Sequence, residues 1–177
     1  MTDKNVPLTV VSSLATNYHY GQIVIGDNTL TQEPDSWAYW FVVVDRTTLK
    51  VVYNELQSSA NTAPDIGSAN SADNLLIVAT MGVGLNNQPQ GDLFKFLDLN
   101  GAGRQLRRIE QVAQQLGCGS MGTFGYALVG TLGDQDRPGF EVSQITAPAS
   151  GPVLTCQLMP NEIDGQTCYT PVELSNA

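Results

Sequence analysis

Six consecutive apolar residues, Tyr39-Trp40-Phe41-Val42-Val43-Val44, constrain the fold of this chain more than any other segment. Successive side chains of a strand point to opposite faces, so a fully apolar run leaves no face for water. Aromatic and β-branched residues also favour a strand over a helix. We therefore predict a central strand covered on both sides, with Trp40 and Val42 on one face and Tyr39 and Phe41 on the other.

Strand and helix patterns alternate along the rest of the chain. The helical pattern is clearest over residues 104–116, where apolar residues recur every three or four positions and Gly117 follows as a C-cap. A shorter helix is predicted over 91–99. Strand patterns precede, separate and follow these helices, which predicts an α+β fold with a mainly antiparallel sheet. The predicted strands are 18–26, 39–44, 50–56, 75–80, 124–130, 140–145 and a short one at 153–156.

The predicted domain is residues 17–145, between an N-terminal lead-in (1–16) and a C-terminal segment (146–177). The lead-in contains Leu8-Thr9-Val10-Val11, which is either an edge strand or an ordered approach to the domain. The C-terminal segment is rich in proline and glycine and is predicted to be a docked tail or a linker. Two long loops, 58–74 and 82–89, are predicted within the domain; loops of such length are uncommon unless they have a function.

The charge balance excludes several classes of partner. The 177 residues include 8 basic and 17 acidic side chains, giving a net charge of -9. Nucleic acid and anionic membrane surfaces require basic patches, so neither is an expected partner. We find no apolar run of the ~20 residues that a membrane span requires, and no signal-peptide pattern at the N-terminus.

Neither catalysis nor metal binding is predicted. His19 is the only histidine, so any cysteine nucleophile, such as Cys118, would depend on it as the base. Residues 117–122 match G-x-G-x-x-G, but they follow a helix and precede a strand, the reverse of a dinucleotide site. Asp134 and Asp136 resemble the start of a calcium loop, but Ile145 stands where the bidentate glutamate belongs. We expect no enzyme activity, no cofactor and no metal.

Cys156 and Cys168 both lie in the C-terminal segment. In an oxidising compartment they are candidates for a disulfide, and otherwise both are free thiols.

Aromatic and amide side chains are the best candidates for ligand contacts. Aromatic faces stack on sugars and anchor protein interfaces, although core packing is the alternative for each ring. Trp37 precedes the central strand and is the best candidate for an exposed platform. The candidate ligand-binding residues are Tyr18, Trp37, Tyr39, Trp40, Asn86 and Asn87.

The order of these patterns is similar to that of a known family. The hairpin sequence FVVVDRTTLKVV at 41–52, LLIVAT at 75–80, the helix ending in Leu116-Gly117 and YALVG at 126–130 resemble the interleukin-like EMT inducer (ILEI) domain, also called PANDER-like, over residues 38–142. The resemblance implies a compact, sandwich-like pair of mainly antiparallel sheets flanked by short helices. It also implies a non-catalytic, extracellular or cell-surface protein.

One member of that family binds a glycan, but its sugar contacts do not carry over. The sugar contacts of that member include an arginine just before the opening strand, an acidic residue after the middle strand and an arginine before the late strand. Trp37, Val83 and Thr123 stand at or near these positions here. We therefore expect a non-enzymatic recognition module that binds a glycan or a surface protein by another surface. The alternative is a structural subunit or spacer in a larger extracellular or surface assembly.

Overall fold

Two antiparallel sheets and two helices make up the fold, as the α+β prediction requires. The computed structural model describes residues 4–15, 18–116, 122–145 and 151–174. The helices are α1 (Gly91–Leu99) and α2 (Arg104–Leu116). The strands are β1 (Val6–Val11), β2 (Gly21–Ile25), β3 (Asn28–Gln32), β4 (Ala38–Asp45), β5 (Val51–Gln57), β6 (Asn74–Met81), β7 (Val83–Gly84), β8 (Thr123–Thr131), β9 (Phe140–Ile145), β10 (Val153–Ile163) and β11 (Gln166–Val172).

The first and last strands of the chain form one sheet, which we call the terminal sheet, in the order β11-β10-β1-β2-β3. The remaining strands form the central sheet, in which β4 pairs with β5 and β6, and β8 pairs with β6, β7 and β9. The terminal sheet therefore combines strands from the lead-in, the predicted domain and the C-terminal segment.

The central strand is covered on both sides, and this prediction is confirmed. Residues 38–44 of β4 are all buried. Trp40 and Val42 pack against the terminal sheet, whereas Tyr39 and Phe41 pack against the layer that contains α1 and α2. The molecule therefore has three layers, and the central sheet is the middle one.

The terminal segments differ most from the predictions. The segment at 8–11 is not an edge strand, because β1 pairs with β10 on one side and β2 on the other. The hairpin of β10 and β11 was not predicted, since proline usually argues against a strand. Pro160 is accommodated because β1 begins at Val6, opposite Leu158, so that β10 beyond this point pairs only with β11. Pro171 lies on the edge strand β11.

Turns are supported by local hydrogen bonds. The Asp45 carboxylate accepts hydrogen bonds from the backbone N–H groups of Thr47 (3.0 Å) and Thr48 (2.7 Å) and from the Thr48 hydroxyl (2.8 Å). Burial raises the pKa of this carboxyl, but these hydrogen bonds and the positive charge of Lys50 together outweigh burial and lower the pKa overall. The turn therefore holds β4 and β5 in a hairpin, as predicted.

Candidate functional site

The loops that carry the predicted ligand contacts leave the sandwich at one end. β4 begins opposite the end of β6, since Ala38 pairs with Met81. An isolated bridge between Ser13 and Met81 brings the connection between β1 and β2 to the same place. We call this region the loop end; its described residues are 12–15, 18–20, 33–37 and 82–90.

Tyr18 is the most exposed aromatic residue of the loop end. Its side chain is 59% exposed and stacks on the Tyr20 ring, with the centroids 6.0 Å apart and the planes 15° apart. The Tyr20 N–H donates a hydrogen bond to Ser13 Oγ (3.2 Å), which fixes this segment to the core. The structure thus presents an aromatic pair with one outward ring.

His19 lies between these two tyrosines and against the end of β6. Its ring occupies the space that a Cβ at Gly82 would need, and Gly82 has a φ of +62°. Only glycine satisfies both conditions without strain. Gly82 therefore allows the Tyr18–Tyr20 segment to pack beside the loop that continues to Asn86.

Asn86 and Asn87 occupy a short 3₁₀ turn, Leu85–Asn87, that is anchored by the buried Leu85. The Leu85 N–H donates to the Gly122 carbonyl (2.8 Å). Asn86 is exposed and Asn87 is half-buried. In the next residue, Gln88, the side-chain oxygen is buried and has no hydrogen-bond partner among the described residues.

Trp37, the residue predicted to be an exposed platform, is half-buried. Its ring meets that of Tyr39 edge to face, with centroids 6.2 Å apart, and it packs on the helix-side core. Its carbonyl accepts a hydrogen bond from Ser58 Oγ (3.0 Å). Trp37 therefore both supports the loop end and shows part of its ring to solvent.

Tyr39 and Trp40 are fully buried, and their assignment as ligand contacts is wrong. Both belong to β4, which is covered on both faces. The Tyr39 hydroxyl donates to the Asn87 carbonyl, and burial raises the pKa of Tyr39 well above its ordinary value. Trp40 Nε1 donates to Asn54 Oδ1 (2.7 Å) on the neighbouring strand β5. Tyr39 therefore stabilises the Asn86–Asn87 turn from the core side of the loop end.

Part of the long loop 58–74 also reaches this region. The Ala60 carbonyl accepts from the Gln90 N–H (2.7 Å), and the Asn61 carbonyl accepts from Asp92 (3.1 Å) and Leu93 (3.2 Å). These bonds satisfy N–H groups at the start of α1, which have no partner within the helix. The loop therefore fixes the position of α1 relative to residues 85–90.

The two cysteines do not form the predicted disulfide. Both are free, and they lie on opposite faces of the terminal sheet. Cys168 is opposite Asn161, five residues along β10 from Cys156, a separation of about 16 Å at the usual strand rise. A disulfide requires Cα atoms within about 7 Å of each other. Burial raises the pKa of the Cys156 thiol to about 12.

Among the described residues, no group of three or more His, Cys, Asp and Glu side chains is placed to hold a metal ion. Cys118 and most of the 117–122 motif lie outside the described residues. In the suspected calcium loop, Asp134 Oδ1 instead accepts from the backbone N–H groups of Asp136 and Arg137 (both 3.2 Å), which is a tight acidic turn.

Models of known protein families do not match this sequence, and a search of curated proteins gives no match. Within the described part of the chain, neither helix is long and apolar enough to cross a membrane.

Proposed function

We propose that this protein is a non-enzymatic recognition module that binds a glycan through its loop end. The observation that carries the proposal is the Tyr18–Tyr20 pair, which exposes one ring at the same end of the sandwich as Asn86, Asn87 and the accessible part of Trp37. A protein surface is the other ligand class that such an aromatic anchor suits.

The chemistry of these groups suits a sugar. An aromatic face packs against the C–H face of a pyranose, and amide groups donate and accept hydrogen bonds with its hydroxyls. The Tyr18 ring stacks on the Tyr20 ring, and the Tyr20 backbone is fixed by its hydrogen bond to the Ser13 hydroxyl, so little side-chain entropy is lost on binding.

Charge narrows the class of glycan. The described residues of the loop end include Glu33 and Asp35 but no lysine or arginine. A sulfated or carboxylated glycan would meet repulsion here. The ligand that we propose is therefore a neutral or amino-bearing glycan.

We also propose that residues 38–142 are related to the ILEI-type domain, on the sequence resemblance alone, and that the protein acts outside the cell or on its surface. The residues at or near the sugar-contact positions of the glycan-binding member are Trp37, the buried Val83 and the half-buried Thr123. Their side chains differ from that member's, so the proposed site depends on Tyr18 and the asparagines instead.

A glycan array tests the proposal, with the wild-type protein and the Tyr18→Ala variant compared on neutral, basic and acidic glycans. We expect binding to neutral or basic glycans that weakens at least about tenfold in Tyr18→Ala, as for the central aromatic residue of an interface. Melting temperature should change little, because Tyr18 is mostly exposed.

Leu99→Ala is the matched control, since Leu99 is a large exposed side chain (49%) at the end of α1 away from the loop end. It should bind as the wild type does. An array without binding by folded protein, or binding that Tyr18→Ala leaves intact, would contradict the proposal.

A further inference from the structure

The strands of the terminal sheet place no charged side chain on its outer face. Residues of β1, β2, β3, β10 and β11 alternate between the core and the opposite face, and on these five described strands no outward position is Asp, Glu, Lys or Arg. Every outward side chain is at least partly exposed. The outward residues of β10, for example, are Val153, Thr155, Gln157, Met159, Asn161 and Ile163.

Charged residues surround this face instead. Lys4 precedes β1, Asp27 lies in the turn between β2 and β3, and Glu33 follows β3; Asp164 and Glu173 lie at the two ends of β11. Arg137, from the turn between β8 and β9, borders the face beside Met159 and Thr170. An uncharged centre within a charged rim is the usual anatomy of a protein–protein interface. It is unusual for a solvated sheet face, where charged side chains are normally interspersed.

We propose that this face is the site at which a second copy of the chain binds, face to face. Each molecule carries a net charge of -9, so two copies repel each other over most of their surfaces. The uncharged face is where two copies approach at the lowest electrostatic cost.

The pattern on the face is compatible with pairing to itself. Thr29, Val24, Thr9 and Thr155 form one row across four strands, because 29 pairs with 24, 24 with 9 and 9 with 155. A threonine hydroxyl both donates and accepts hydrogen bonds. A twofold interface brings the same patch from both copies together, and such groups are complementary to themselves.

The available area is sufficient for a weak dimer. Strands that are about 4.8 Å apart, with a rise of about 3.3 Å per residue, give the face an area on the order of 500 Å². Two such faces bury on the order of 1,000 Å², near the lower limit of specific interfaces. The dimer is therefore reversible and depends on protein concentration.

Other partners fit this face less well. The outward positions of the five described strands include no aromatic residue, so a sugar has no ring on which to stack. They also lack the basic side chains that nucleic acid or an anionic membrane requires.

Sedimentation of the full chain from about 1 µM to about 1 mM tests the proposal. The wild-type mass should rise with concentration from 19.0 kDa toward twice that value. Salt should strengthen the dimer, because it screens the repulsion between two acidic molecules. A mass that stays at 19.0 kDa throughout would overturn the proposal.

A charge placed at the centre of the face locates the interface. Thr155→Glu and Thr155→Lys should each remain monomeric alone, whereas an equal mixture of the two should recover the dimer. Gln111→Glu adds the same negative charge to the exposed side of α2 and should dimerise like the wild type. Val153→Glu, at a side chain that is 52% exposed, replaces Thr155→Glu if circular dichroism shows that the latter is misfolded. If the variants with a charge on this face dimerised as strongly as the wild type, the assignment to this face would be overturned.

Discussion

Glu141 on β9 caps a helix that is remote from it in sequence, and its removal is the most informative stability test. Its carboxylate accepts hydrogen bonds from the backbone N–H groups of Gln105 (2.6 Å) and Leu106 (3.3 Å), in the first turn of α2. It also accepts one from the hydroxyl of the buried Tyr126 (2.9 Å). Gly103, the residue before the helix, has no side chain with which to cap it.

The magnitude follows from the groups that Glu141→Ala leaves without partners. Loss of a helix N-cap costs about 1 kcal/mol. A buried hydroxyl without a partner costs about 1–3 kcal/mol more. We therefore expect Glu141→Ala to lower the free energy of unfolding by about 3 kcal/mol. That corresponds to a fall in melting temperature of about 6–12 °C for a chain of this size.

Thermal and urea unfolding followed by circular dichroism measure this loss. Glu141→Gln keeps an oxygen acceptor but loses the negative charge that favours a helix N-terminus, so it should cost about 1 kcal/mol. Glu110→Ala, on the same helix, should change stability by less than about 0.5 kcal/mol. If Glu141→Ala were as stable as Glu110→Ala, the capping role would be refuted.

Three further outcomes are expected. Burial raises the pKa values of Tyr39 and Tyr126, so these hydroxyls ionise at lower pH in the unfolded chain than in the folded one. The free energy of unfolding should therefore decline as the pH rises above about 10. Absorbance at 295 nm should show that both rings ionise only when the protein unfolds. In the native protein Cys156 should resist iodoacetamide while Cys168 reacts, and peptide mapping that finds Cys156 modified or disulfide-bonded would contradict this. Arg46→Ala should cost about 3 kcal/mol in urea unfolding, because the buried guanidinium donates to the Tyr169 and Ala72 carbonyls and to Thr170 Oγ1; a loss below about 1 kcal/mol would contradict this.

Periodicity identified most elements of the central sheet and both helices. The apolar run at 39–44 predicted a strand covered on both sides, and β4 is that strand. The helix predicted over 104–116 has the same bounds in the structure. Such patterns are reliable because they reflect burial of one helix face or of both strand faces.

Features that depend on contacts between distant segments were not predictable. β11 alternates only weakly and contains Pro171, and it is stabilised by β10 rather than by its own pattern. Glu141 caps α2 from a position 36 residues further along the chain, and Gly103 carries no side chain that would indicate a cap. Neither the strand β11 nor this cap could therefore be predicted from local sequence.

The candidate site was predicted in part, for a similar reason. Sequence pointed to Tyr18, Trp37, Asn86 and Asn87, which the structure places at one end of the sandwich. It also included Tyr39 and Trp40, which are buried because both faces of β4 are covered. They were included for their aromatic side chains, and residue type alone does not distinguish a core ring from a surface ring. The exposed aromatic pair depends on Gly82, whose missing side chain accommodates His19.

The position of the bound ligand is the most direct test of the proposed recognition function. The two tryptophans, Trp37 and Trp40, give one indole N–H signal each in a ¹⁵N–¹H spectrum. Trp37 is half-buried at the loop end, whereas Trp40 is fully buried and bonded to Asn54. Titration with a neutral glycan that binds the protein on the array should shift the Trp37 signal and leave the Trp40 signal unchanged. A saturating glycan that moves neither signal would show that binding occurs elsewhere and would contradict the proposed site.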